Sequence, residues 1–195
     1  MCILKNINRL LLISVLVLLT VVGCKKRYTP KPLGYHRIDF PEKEYEVYRS
    51  DCPFTFEYPV YGEVRQDQSP SAEPCWLNIR FEEYNGTIHL SYKPVQKNLS
   101  KLTEDARSLT YKHTVKAESI SERLFTKPQR NVHGILYDVK GNAASSLQFF
   151  LTDSSNHFVR GSLYFQVQPN KDSLAPVIDF FREDVIHFME SFKWK

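Results

Sequence analysis

GNAASSLQFFLTDSSNHFVRGSLYF, residues 141–165, is the stretch whose reading decides the fold. It sets five serines, an aspartate and a histidine among aromatic runs, so it reads either as a nucleophile with its base and acid or as a turn between two strands. Spacing separates the two readings. Ser145 and Asp153 lie eight residues apart on one extended segment, roughly 26 Å at about 3.3 Å per residue, and no hydrogen bond spans that distance. Ser154 and Ser155 lie nearer His157, but no G-x-S-x-G elbow surrounds them, and a hairpin tip holds a nucleophile poorly. The stretch is therefore strand, turn and strand, with Ser154-Ser155-Asn156 as the turn.

Working outward, the spacing predicts three strands: Val132 to Lys140, Ser145 to Asp153, and His157 to Gln168. Gly141-Asn142 supplies the first turn, and the connections are too short for anything but antiparallel pairing. Upstream, CWLNIRFEEYNGTIHLSYKPV (75–95) alternates Leu77, Ile79 and Phe81 with polar residues, then Ile88, Leu90 and Tyr92 likewise. Asn85-Gly86 between them predicts a two-residue type I′ hairpin. A strand is expected over Ile120 to Phe125, and short edge strands between Tyr35 and Val64, where Pro41, Pro53 and Pro59 break the aromatic runs.

Two helices accompany the strands. One opens near Asn98 or Ser100, carries Glu104 and Asp105 early and Lys112, His113 and Lys116 late, and has a narrow apolar face of Leu102, Ala106 and Leu109. The other spans DSLAPVIDFFREDVIHFMESFKWK (172–195), with Asp172 or Ser173 as cap and Pro176 in its first turn. Its stripe of Leu174, Val177, Ile178, Phe181, Val185, Phe188, Met189 and Phe192 is wide enough to cover a sheet. The fold class that follows is α+β, an antiparallel β-sheet covered by two main helices. That element order is similar to the PsbP/Mog1-like sandwiches.

The first residues belong to another job. Lys5 and Arg9 precede an apolar run, Leu10 to Val22, that is short for a permanent membrane span. Val21-Val22-Gly23-Cys24 resembles a bacterial lipobox, so residues 1–23 are expected to be a lipoprotein signal peptide and Cys24 the acylated residue. Several acyl chains on one residue anchor a protein stably where a single chain does not. Residues 24–33 then form a tether, with KKRYTPKPL (25–33) carrying two prolines and four cations, and residues 34–195 form a single globular domain. The cations Lys25, Lys26 and Arg27 would lie among lipid headgroups. A basic run there, rather than an acidic one, favours a protein facing the periplasm, with the choice of inner or outer membrane open.

Composition limits the function. The 195 residues are 42% hydrophobic and 13% aromatic, enough for a core. The formal charge of +4 falls to +2 without Lys5 and Arg9, which gives no reason to expect nucleic acid. Once Cys2 and Cys24 are set aside, Cys52 and Cys75 remain, either as a disulfide in an oxidising compartment or as buried thiols. The six histidines are scattered without H-x-H or H-E-x-x-H spacing, and no glycine-rich loop is present, so neither metal nor nucleotide cofactor is expected. The carboxylates of FPEKEYEVY (40–48) and FREDV (181–185) read as solvated faces with local ion-pair partners. Asp153, Asn156, His157 and Arg160 read as an exposed polar rim where a partner could dock.

GNAASSLQFFLTDSSNHFVRGSLYFQVQPNKDSLAPVIDFF (141–181), PKPLGYHRIDFPEKEYEVY (30–48), CPFTFEYP (52–59) and the closing Trp194-Lys195 together resemble the gliding motility lipoprotein GldD family of Bacteroidetes. The resemblance implies a non-enzymatic accessory or assembly lipoprotein of the gliding and type IX secretion machinery. Its partners would be other envelope lipoproteins and membrane components, and it implies no catalytic residues. The alternative from the residues alone is a periplasmic module holding a lipid or other hydrophobic ligand between sheet and helices.

Overall fold

In the computed structural model, residues 38–195 are described; the expected signal segment 1–23, the expected lipidation at Cys24 and the expected tether 24–33 lie outside them. The strands are β1 (Tyr45–Tyr48), β2 (Phe54–Pro59), β3 (Glu63–Gln66), β4 (Leu77–Phe81), β5 (Gly86–Pro94), β6 (Ala117–Lys127), β7 (Val132–Gly141), β8 (Ser145–Thr152), β9 (His157–Phe165) and β10 (Lys193–Trp194). Helix α1 (Leu99–Tyr111) follows β5, and α2 (Lys171–Ser191) follows β9. The α+β class and the antiparallel pairing are as the alternation predicts.

Seven strands pair in the order β3-β4-β5-β9-β8-β7-β6. The hairpin block and the meander join through β5 and β9, with Leu90 opposite Gly161. A second sheet, β1-β2-β10, was not expected from the sequence. The proline-broken runs conceal it, and β10 joins β2 through only two residue pairs, Lys193 with Thr55 and Trp194 with Phe54.

The large sheet is covered on both faces. Leu147, Phe149 and Leu151 of β8 pack on one face with Phe181, Val185 and Phe188 of α2 and with Phe54 and Phe56 of β2. Phe150 and Phe158 point to the other face, where they meet Ala106 of α1 and Tyr137. Strand β8 is therefore buried at every residue, polar ones included. A fully buried phenylalanine contributes on the order of 2–3 kcal/mol by transfer from water, so the α2 side, built mainly from rings, carries most of the stabilisation.

Several local expectations are corrected. Phe81 pairs with Gly86, so the first hairpin turns through the four residues 82–85, a 3-10 turn ending with Asn85 in the left-handed region at φ 47°. Gly86 is not a turn residue but a strand residue beneath Phe165, whose ring lies 3.2 Å from where a Cβ would stand. The β6–β7 hairpin repeats the device, with Pro128–Arg130 as the 3-10 turn and Asn131 at φ 49°. Helix α2 is capped by Asn170, which accepts from the N–H groups of Asp172 and Ser173. Its true start puts Pro176 in the second turn rather than the first. Strand β6 runs the length of the sheet edge rather than Ile120 to Phe125, and Leu109 is 40% exposed instead of facing the sheet.

Cys52 and Cys75 form a disulfide, with Cα atoms 5.7 Å apart, that ties the start of β2 to the approach to β4. Closing a loop of 23 residues constrains the unfolded chain by roughly 3 kcal/mol on the entropic model. Reduction should lower the urea midpoint and steepen the slope, because the unfolded chain is then free to expand, measured with and without dithiothreitol.

Candidate functional site

The 153–157 turn is held from within. Asp153 is buried, 7% exposed, and its Oδ1 accepts from the backbone N–H groups of Ser155, Asn156 and His157 at 3.0, 2.8 and 2.8 Å. Burial alone would raise its pKa, but the three backbone donors outweigh burial and hold the carboxyl below its ordinary value. Thr152 completes the clasp, its hydroxyl donating to the His157 carbonyl and accepting from Ser154 N–H. The aspartate is thus a structural cap of a tight turn, and the expectation that it is exposed is corrected.

The other three residues of the expected rim diverge. Asn156 is exposed, and its carbonyl accepts from Val95 N–H at 2.8 Å. His157 faces the α2 side, where its Nδ1 lies 2.8 Å from the Tyr92 hydroxyl and its ring stacks on Trp194 at 5.2 Å. Arg160, three residues further along β9, faces the α1 side instead. Strand alternation separates it from His157, so the four residues do not form one surface.

Where Arg160 points, the sheet is only partly covered. Helix α1 is narrow in its apolar face, and between it and the segment around Asp67 and Trp76 lies an open groove of about 400 Å³. Leu90, Phe158, Arg160 and Ser162 form its floor, Leu102 and Asp105 stand on the helix wall, and Trp76 on the other. Lys93 lies over the Trp76 ring at 5.2 Å and pairs with Glu73. Arg160 has no carboxylate partner among the described residues; its Nη2 donates to Gln148 Oε1 at 2.5 Å. Gln148 Oε1 also accepts from Thr110, while its buried Nε2 has no partner among them. Burial pushes the Arg160 pKa down.

A third cluster escaped the sequence reading entirely. Asp184, 1% exposed, accepts from Lys43 Nζ at 2.8 Å and from the hydroxyls of Tyr45 and Tyr61 at 2.9 and 2.7 Å. Lys43 also donates to the Phe180 carbonyl and lies 3.2 Å above the Phe180 ring centroid. The carboxylates of FREDV and FPEKEYEVY are not all solvated: one is a buried acceptor whose cation comes from 141 residues earlier in the chain. Burial and then the Asp184 hydrogen bond raise the pKa of both tyrosines well above the ordinary phenol value.

No group of three or more His, Cys, Asp or Glu side chains is placed to hold a metal ion among the described residues. None of their helices is long and apolar enough to cross a membrane.

Residues 25–194 match the family model described as gliding motility lipoprotein GldD. The chain belongs to that family. Membership places it among lipoproteins of the cell envelope that are anchored to a membrane, as the sequence resemblance implied. No curated protein matches the sequence. Among solved structures, the chain is similar to the solution structure of cyanobacterial PsbP (CyanoP) from Synechocystis sp. PCC 6803, at 12% identity and a TM-score of 0.48, covering 85% of this chain and 100% of that one.

Proposed function

We propose that the chain is a non-enzymatic accessory or assembly component of the gliding motility and type IX secretion machinery. It is acylated at Cys24, faces the periplasm, and acts by contact with other envelope lipoproteins and membrane components. The family match over residues 25–194, which begins directly after Cys24, carries this reading. The fate of the one Ser/Asp/His-rich stretch supports it, because Asp153 Oδ1 caps the turn by accepting from three backbone N–H groups and His157 Nδ1 lies 2.8 Å from the Tyr92 hydroxyl.

A clean deletion should abolish type IX secretion, and gliding where the host glides, measured as cargo in the culture medium and colony spreading. Asp153→Asn and His157→Gln chains that still accumulate should restore both. Normal secretion by the deletion strain would end this reading. A second reading, a binding module, draws on the open groove beside α1. Its arginine floor does not resemble the elongated apolar cavity that a wholly hydrophobic ligand needs.

A further inference from the structure

The α1-side groove holds a charge that the fold itself does not use. Buried or half-buried cations are ordinarily paired, because desolvation without a counter-ion is costly. Arg160 departs from this: one of its five N–H donors is satisfied by a neutral amide, and no carboxylate of the described residues lies within ion-pair distance. Beneath it, Gln148 adds a buried amide N–H that is also without an acceptor. A guanidinium without a counter-ion in a half-covered cleft calls for an acceptor brought from outside.

We propose that this groove binds the free carboxylate end of an extended peptide whose last side chain is apolar, with Arg160 receiving the carboxylate. The volume, about 400 Å³, suits a chain end rather than a folded partner. Trp76, Leu102 and Phe158 supply the apolar contact. The choice of peptide over acyl chain rests on the rim. Asp67 and Asp105 stand at the mouth, and Ser91 and Ser162 line the floor and flank. Peptide N–H groups can donate to all four side chains, whereas a hydrocarbon tail would cover two carboxylates with nothing to offer them. The guanidinium fork matches a carboxylate in a bidentate pair, which makes the chain terminus the group that is read.

This inference does not depend on the secretion role and can stand or fall without it. The test uses the full lipidated chain in lipid nanodiscs, titrated by calorimetry with acetyl-Leu-Leu-Phe as free acid, the same peptide as C-terminal amide, and octanoate. The free acid should bind and quench Trp76 fluorescence, the amide should bind at least tenfold more weakly, and octanoate should not compete. Arg160→Gln should cost the free acid at least tenfold and Arg160→Lys less. Leu109→Glu, an exposed change on the helix beside the groove that leaves Arg160 in place, should also weaken it by repulsion. Binding of octanoate in preference to the peptide, equal binding of acid and amide, undiminished binding by a folded Arg160→Gln chain, or no binding of the free acid would each overturn the proposal.

Discussion

Asp184→Ala should destabilise the domain by about 3–5 kcal/mol, the usual penalty for removing one partner of a buried ion pair and orphaning the rest. The carboxylate stands at the centre of three donors, so its loss leaves Lys43 desolvated above the Phe180 ring and two hydroxyls without an acceptor. Lys43→Met should cost less. Lys43 is 23% exposed on its side chain, and Asp184 would keep both tyrosines. Equilibrium urea unfolding of the two variants checks the order, and a loss below 1 kcal/mol for Asp184→Ala would show the cluster to be dispensable. The tyrosines add a pH signature. Their folded pKa values are raised, so the stability they contribute is complete below the unfolded phenol value of about 10 and is lost as pH rises beyond it.

That cluster also shows where sequence reading stops. Period-two alternation located β4, β5 and β9, because one side chain in two must face a core wherever a sheet is covered, and turn residues bounded β7 and β8. The amphipathic stripe located α2 for the same reason. Long-range pairing leaves no such trace. Asp184 sits among Glu183, Arg182 and Asp179, and nothing in that local charge pattern indicates that only it turns inward to meet Lys43. The turns failed differently. Asn85-Gly86 and Glu82-Glu83-Tyr84-Asn85 are overlapping turn sequences, and the choice between them is made by the Phe165 ring lying over Gly86, a contact across the sheet from 79 residues away.

The groove follows from the same asymmetry. On the α2 side, rings from helix and both sheets interlock, and the space is filled. On the α1 side the helix offers Ala106 at its centre and turns Leu109 outward, so it covers β8 fully but leaves β5 and the near edge of β9 open. Arg160 lies along that boundary. A wider apolar face on α1 would have closed the cleft and excluded an arginine; the narrow one leaves a polar floor beneath an apolar wall.

Gly161→Val should be strongly damaging, on the order of 4 kcal/mol or more, above the usual one to three for an overpacked core. Glycine is required there by a neighbour rather than by its backbone. Phe149 on β8 lies directly across Gly161 in register, and a Cβ built at Gly161 would stand 2.1 Å from the Phe149 Cζ and 2.4 Å from a second ring carbon. The ring cannot withdraw easily, because Phe149 is itself buried and packs on Phe188 of α2 at 5.3 Å. The damage should therefore be relieved from the other side of the pair. Phe149→Leu shortens the group that occupies the glycine's space, so Gly161→Ala in that background should cost at least 1 kcal/mol less than in the native chain. Additive losses in the double variant would mean that backbone strain, not the ring, excludes a side chain at 161. Non-additive losses would identify the ring-over-glycine pair as the contact that sets the register between β8 and β9.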